Sequence, residues 1–304
     1  MTRYFHRAPR FSKDSTRSLT SGTEYRSGSR KGLDLTVGSP SLNGDSKSKY
    51  WDNTGASSNE VTSQEKNKLL CGGILLRTIR EVKTRKVISG PSLLVDRILA
   101  ASGATSIQDL VNDKWGGDIN AFDIPENRLE STSQNEVSER PRRTCLYLRA
   151  IQGGTRKTPQ IYYSPRIGLE LSHPGTTSST VLPLHPRIRF LPRRYRFFIH
   201  PELLTSNGRP QTFLGVLHSL TSYSTCPPDE LEVKFKKQSL IKDIARITGL
   251  KEATTEKYLK DYILGREGGT VLLNDFIGTK GKGASGSPAM YLKMIGASSA
   301  LTNE

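Results

Sequence analysis

Apolar and basic positions alternate in the segment 185–199, and this alternation predicts β-structure. The alternation is regular over residues 187–191 and looser over residues 194–198. A period of two is typical of a strand with one face in a core and the other face exposed. The segment therefore predicts a strand whose outward face is a row of guanidinium groups. The basic residues of this row are Arg187, Arg189, Arg193, Arg194 and Arg196.

A second apolar segment, residues 73–79, predicts a short buried strand with one charge. That charge, Arg77, must be paired or must point into a cleft. Residues 89–103 predict a helix, because a proline stands just inside the start and a glycine just past the end. The free backbone N–H groups at this start suit a phosphate, although a plain capped core helix fits the same residues. Another helix start, of the capping-box kind, is predicted at residues 106–109.

Helical spacing in residues 239–263 predicts two helices that are broken at Gly249. The pattern is typical of a helix-turn-helix, and a helical hairpin that packs or recruits a partner fits the same spacing. Together with residues 268–278, the segment also weakly resembles the start of a bacterial histone-like protein. The residues on one face of the first helix are Ile241, Ile244, Ala245 and Thr248.

Composition divides the chain into three regions. A hydrophobic content of 34% is low for 304 residues, so one core of about 150–200 residues with disordered flanks is expected. Residues 1–68 are rich in Ser, Thr, Gly and basic residues and are predicted to be a disordered tail. A folded domain is predicted over residues 69–200. Residues 201–304 are predicted to be a tail that contains the helical hairpin.

The net charge indicates what the chain binds. The 45 Lys and Arg residues against 29 Asp and Glu residues give a net charge of +16, which favours nucleic acid or an acidic membrane surface as partner. The arginine-rich strand would then bind phosphates in a bidentate way. The alternative is a charged edge that only discourages aggregation. The basic first 20 residues indicate a tail that binds nucleic acid or directs import into the nucleus, or a mitochondrial presequence.

Composition also excludes several kinds of protein. The three cysteines lie far apart, which predicts neither a disulfide framework nor a Cys-x-x-Cys zinc site. No apolar run reaches the roughly 18 residues that a membrane-spanning helix needs. We expect no metal, no cofactor and no membrane among the partners of the chain.

Four short motifs occur in a characteristic order. They are Ile-Leu-Leu-Arg-Thr at 74–78, Ser-Gly-Pro-Ser-Leu at 89–93, Ser-Pro-Arg-Ile-Gly-Leu at 164–169 and Arg-Tyr-Arg-Phe-Phe at 194–198. This series resembles the C-terminal half of the alkyladenine (3-methyladenine or methylpurine) DNA glycosylases. That family has a leucine-leucine-arginine-alanine strand, a serine-glycine-proline turn that opens a helix, an arginine-(valine or isoleucine)-glycine strand end and a final arginine-phenylalanine-tyrosine strand.

The resemblance implies a mixed α/β domain on a curved antiparallel sheet with flanking helices, which would be incomplete here. It also implies that the partner is double-stranded DNA and that a damaged purine is flipped into a pocket for hydrolysis of its glycosidic bond. The family uses a water activated by glutamate, without metal. Arg77 matches the family arginine beside the flipped nucleotide, and Ser89 and Gly90 match the turn that approaches DNA. The expected role is base-excision repair in the nucleus, or alternatively in the mitochondrion.

One departure from the family bears on catalysis. The family's glutamate motif precedes the segment that matches residues 74–78, and the 73 residues before that segment contain no such motif here. The expectation is therefore a fragment, or a family member without its general base. The alternative is a non-catalytic basic nucleic-acid-binding protein that uses residues 187–196 and 239–263. A third interpretation is a remnant without function.

Overall fold

The computed structural model describes parts of two compact units, Met1–Gly154 and Thr155–Glu304. Both units contain helices and short antiparallel strands, so the predicted mixed α/β class is confirmed. Among the described residues, the strands form three small sheets rather than one curved sheet. The described residues are 2–6, 25–37, 72–121, 146, 148, 158–171, 188, 190–222, 228–277 and 287–302.

The first unit is built on a three-stranded antiparallel sheet that joins distant segments. β1 (Thr2–Phe5) pairs with β2 (Leu33–Val37), which pairs with β3 (Gly72–Leu75). β1 and β2 lie in the region predicted to be a disordered tail, so that prediction does not hold for these two segments. They are ordered because they supply Phe5 and Leu33 to the apolar core of the unit.

A hairpin of β4 (Thr78–Arg80) and β5 (Val87–Ser89) continues the first unit. The apolar run predicted as one strand is therefore divided between β3 and β4. The Leu76 N–H group still donates to β2 at 3.0 Å, whereas the Arg77 carbonyl oxygen accepts from Gly90 at 2.8 Å. The chain thus changes its pairing partner between these two residues.

Both helix starts predicted in the first unit are confirmed. α1 (Pro91–Ala101) begins after Gly90 with a proline in its first turn. The Ser106 hydroxyl accepts a hydrogen bond from the Asp109 N–H group at 3.0 Å. This cap opens α2 (Ile107–Asp109), which continues as a π-helical turn over Leu110–Lys114. The core of the unit consists of Phe5, Leu33, Leu94, Val95, Ile107, Leu110, Val111 and Trp115.

The second unit is mainly helical, with one short β-hairpin. Its elements in chain order are β6 (Tyr162–Ser164), β7 (Arg196–Phe198), α3 (Arg209–Thr221), α4 (Pro228–Phe235), α5 (Gln238–Thr248), α6 (Glu252–Gly268) and α7 (Pro288–Ser298), with 3-10 helices at Pro201–Leu203, Thr270–Phe276 and Ser299–Thr302. α3 lies at the centre, since every residue from Gln211 to His218 is buried. α3 packs on both β6 and α5.

Two glycines allow α6 and α7 to pack with their backbones in contact. A Cβ atom on Gly265 would lie 2.1 Å from the Lys293 carbonyl oxygen, and one on Gly296 would lie 2.2 Å from the Tyr262 carbonyl oxygen. The Lys293 ammonium group also lies 3.9 Å from the Asp261 carboxylate across the same interface. Any larger side chain at either glycine would force the two helices apart.

The boundary between the units differs from the predicted one. It falls after Gly154, inside the region 69–200 that was predicted to be one domain. The reason is that β6, which is paired with β7, packs on α3. The region 201–304, predicted to be a tail, therefore forms one compact unit with this hairpin.

The prediction of a strand at residues 187–191 is wrong for the residues of this segment that the structure describes. The Leu191 N–H group donates to the Ile188 carbonyl oxygen at 3.1 Å, which closes a helical turn. Ile188 and Leu191 are both buried, and a helical turn places residues three apart on one face, whereas a strand places them on opposite faces. The strand predicted at residues 194–198 is confirmed by β7.

Candidate nucleic-acid interface

The hairpin of β6 and β7 divides its side chains between an inner and an outer face. Tyr162 lies opposite Phe198, and Tyr163 lies opposite Phe197. Residues that lie opposite each other on paired strands share a face of the sheet. The rings of Tyr162 and Phe198 stack with their centroids 5.6 Å apart. α3 approaches this inner face at Gly215, where a Cβ atom would lie 2.7 Å from the Phe198 ring. Tyr163 and Phe197 point outward and are exposed.

Arg196, predicted to lie in the outward row of arginines, lies on the inner face. Its guanidinium group donates to the Ser164 hydroxyl at 3.3 Å and to the Thr212 hydroxyl at 3.1 Å. The same group lies 4.3 Å from the centre of the Phe198 ring, within the range of a cation–π contact. Arg196 therefore connects β7 to α3 and stabilises the hairpin.

The outer face of the hairpin is aromatic. The Tyr163 and Phe197 rings meet edge to face with their centroids 5.2 Å apart. The Phe190 and Tyr195 rings follow, with centroids 6.2 Å apart. Arg193 is exposed, and its backbone bonds to that of both Phe190 and Tyr195. We call the four residues Tyr163, Phe190, Tyr195 and Phe197 the aromatic face.

The predicted period of two was correct for β7, but its phase was inverted. Residues 193, 195 and 197 are exposed, whereas Arg194 is half-buried and Phe198 is buried. Sequence reasoning missed the aromatic face because charge was used to choose the outward side. Of the other arginines predicted to bind phosphate, Arg187 and Arg189 lie outside the described residues.

The first unit brings Arg77, Ser89 and Gly90 together where the β4–β5 hairpin meets α1. The Gly90 N–H group donates to the Arg77 carbonyl oxygen at 2.8 Å. Ser89 pairs with Thr78 across the hairpin, with their hydroxyl oxygens 3.4 Å apart. Gly90 has a φ angle of 130°, which residues with a side chain rarely adopt. The three residues that the glycosylase resemblance assigns to DNA binding are thus neighbours.

α5 and α6 are joined by a three-residue turn. Gly249 ends α5 in the left-handed region with a φ angle of 68°, which favours glycine. Leu250 is buried beneath the turn, and its N–H group donates to the Thr248 hydroxyl at 3.3 Å. Lys251 then precedes α6 on the surface. The predicted inner face of α5 is confirmed by the burial of Ile241, Ile244, Ala245 and Thr248.

The outer side of the α5–α6 segment carries more basic than acidic side chains. One of its ion pairs joins Arg246 to Asp243 at 3.1 Å, and both partners are exposed, so the pair stabilises little. Thr255 is fully buried on the opposite side of α6. The exposed basic residues are Lys242, Arg246, Lys251, Lys257 and Lys260, and the exposed acidic side chains are Asp243, Glu252, Glu256 and Glu267.

A histidine is buried between α3 and α6. The Nε2 atom of His218 lies 3.3 Å from the Tyr262 hydroxyl oxygen. Burial lowers the pKa of His218 to about 3, and the nearby positive charges of Arg194 and Arg266 act in the same direction. His218 is therefore a neutral core residue at neutral pH, and it is inaccessible to a phosphate.

No protein-family model, curated protein or solved structure matches this chain. None of the helices in the described ranges is long and apolar enough to cross a membrane. The same ranges contain no group of three or more His, Cys, Asp or Glu side chains arranged to hold a metal ion.

Proposed function

We propose that this protein binds nucleic acid, and that the helix-turn-helix of α5 and α6 is the part that binds duplex DNA. The observation that carries the proposal is the turn at residues 249–251. A left-handed glycine and a buried leucine join two helices there, and the second helix begins on the surface.

The placement of α6 suits a helix that enters the major groove. In a helix-turn-helix, the first residues of the second helix reach the base edges while the first helix crosses the backbone. Lys251, Glu252 and Ala253 are exposed at the start of α6, and Lys257 is exposed further along it. The C-terminal half of α6 is held against α7 at Gly265. The N-terminal half is therefore presented on a rigid support.

Charge separates this proposal from a helical hairpin that only packs against another protein. Such a hairpin would bury the same apolar residues of α5, but it does not require the exposed cations Lys242, Lys251 and Lys257 on the outer side. The net charge of +16 supplies the long-range attraction to phosphate. DNA binding through these lysines must therefore weaken as salt is added.

The test is the affinity of the full chain for a duplex of about 20 base pairs, two turns of DNA, over a range of salt concentrations. Lys251→Gln combined with Lys257→Gln should weaken binding by about tenfold at low salt. The slope of log affinity against log salt should fall by about one unit for each phosphate that the variant no longer neutralises.

The matched control is Lys83→Gln combined with Lys86→Gln. Both lysines are exposed in the turn between β4 and β5, so this variant removes the same charge from the first unit. Its salt slope should stay close to that of the wild type. Equal reductions of affinity in the two double variants would show that binding follows net charge alone, and would contradict the proposal.

A second candidate is a DNA-3-methyladenine glycosylase of base-excision repair, with the glycosylase-like sheet that the resemblance implies. It is supported by the hydrogen bond between Arg77 and Gly90 and the pairing of Ser89 beside it. Release of 3-methyladenine or hypoxanthine from damaged duplex would establish this enzyme. Salt-sensitive binding without release would favour the non-catalytic protein. A nuclear location, or a mitochondrial one, is proposed for either candidate.

A further inference from the structure

The aromatic face exposes large rings to solvent. Phe197 is 64% exposed, Tyr195 54% and Tyr163 45%. The rings form two contact pairs, Tyr163 with Phe197 and Phe190 with Tyr195. Tyr195 stands two residues before Phe197, and strand alternation places such residues on the same side. Large apolar groups clustered on a surface in this way mark an interaction site.

The rings are held on a rigid support. The pairing of β6 with β7 sets Tyr163 opposite Phe197. Behind them, Arg196 bonds to Thr212 of α3 at 3.1 Å, and Gly215 allows α3 to lie against the hairpin. A ligand that stacks on the rings therefore meets side chains that are already oriented, which limits the entropy lost on binding.

The charge beside the rings selects an anionic occupant. Arg193 is exposed, and the ion pairs found between described side chains do not include it. A guanidinium group binds phosphate in a bidentate way, and aromatic rings stack on nucleobases of any sequence. The bases of a duplex are already stacked on one another, so a face of this kind suits unpaired bases.

We infer that the aromatic face binds single-stranded nucleic acid. Unpaired bases stack on Phe197 and Tyr163, and a backbone phosphate lies at Arg193. This surface is separate in sequence from the helix-turn-helix, and the inference does not rest on duplex binding. α3 packs on both β6 and α5, so the two surfaces belong to one packed unit.

The test measures fluorescence anisotropy of a labelled oligothymidine of about 12 nucleotides and of an abasic strand of the same length, with the full chain. Phe197→Ala should weaken oligothymidine binding by about tenfold or more, because it removes one stacking platform. Phe197→Trp should retain the affinity, since a ring remains. The abasic strand should bind more weakly than oligothymidine and should not respond to either substitution.

Tyr4→Ala tests whether the loss of any exposed ring weakens binding, because Tyr4 is 40% exposed on β1 of the first unit. This variant should leave oligothymidine binding unchanged. Lys251→Gln with Lys257→Gln should weaken duplex binding and keep oligothymidine binding, so failure of one surface is distinguishable from failure of the other.

An oligouridine strand distinguishes RNA from DNA, and binding of either one through Phe197 supports the inference.

Three results would overturn the inference. The first is equal affinity for the oligothymidine and the abasic strand. The second is an affinity for oligothymidine that Phe197→Ala leaves unchanged. The third is an absence of oligothymidine binding together with a different interaction that Phe197→Ala abolishes. That interaction could be binding to anionic phospholipid vesicles or self-association in sedimentation.

Discussion

The buried histidine of α3 should make the second unit lose stability in mild acid. The unfolded chain protonates the His218 imidazole near its ordinary pKa of 6.5, whereas burial lowers the pKa to about 3 in the folded unit. The unfolded state therefore binds more protons than the folded state between these two values. Folding stability must fall as the pH falls through that window, and the contribution is complete above it.

The size of the effect follows from the lowered pKa. Going from about pH 7 to about pH 5 should reduce the free energy of unfolding by about 2 kcal/mol, because each pH unit below the unfolded pKa costs about 1.4 kcal/mol. The positive charges that lower this pKa further are Arg194 and Arg266, and both keep their charge over this range. The loss of about 2 kcal/mol assigned to His218 therefore comes from its own protonation and not from a change in these neighbours.

The assay is urea unfolding of the full chain at both pH values, followed by far-ultraviolet circular dichroism. This signal reports mainly on the second unit, which holds most of the described helices. His218→Gln removes the titration and should abolish the loss of about 2 kcal/mol. His200→Gln is the control, because the His200 side chain is 37% exposed, and it should keep the loss. An identical pH dependence in wild type and His218→Gln would refute the reasoning.

Two further predictions concern single substitutions, one at a close helix contact and one at a helix cap. Gly265→Ala should destabilise the second unit by about 1–3 kcal/mol, because the new methyl group meets the Lys293 carbonyl oxygen and α6 must move away from α7. Gly73→Ala, where a Cβ atom meets open space, is its control, and equal effects of the two substitutions on urea unfolding would contradict the close packing. Ser106→Ala should destabilise the first unit by about 1 kcal/mol, because the Asp109 N–H group loses its acceptor. Fluorescence of Trp115, which lies in the same core, measures this in a Trp51→Phe background, and an unchanged unfolding midpoint would contradict the role of the cap.

Elements with local signals were predictable from the sequence. The start of α1 was marked by a proline, the start of α2 by the Ser106 cap, and the end of α5 by Gly249. Each signal acts on groups a few residues away, so the sequence alone contains the information. The inner face of α5 was predictable for the same reason, since helical spacing decides which residues share a face.

Elements that depend on distant partners were not predictable in the same way. β1 and β2 are short, and they form because Phe5 and Leu33 meet a core supplied largely by residues 94–115. The turn that begins at Ile188 depends on burial of Ile188 and Leu191 together. The outward side of β7 was set by α3, which takes up Arg196 through Thr212. Charge alone could not show that an arginine faces inward.

The central claim is that the exposed start of α6 binds duplex DNA. The most direct test is the salt dependence of duplex affinity for the Lys251→Gln, Lys257→Gln variant, measured beside the Lys83→Gln, Lys86→Gln control. The account predicts that the slope falls in the first variant by about one unit for each phosphate left without its lysine, and that it is unchanged in the control. A wild-type slope in the α6 variant would contradict it.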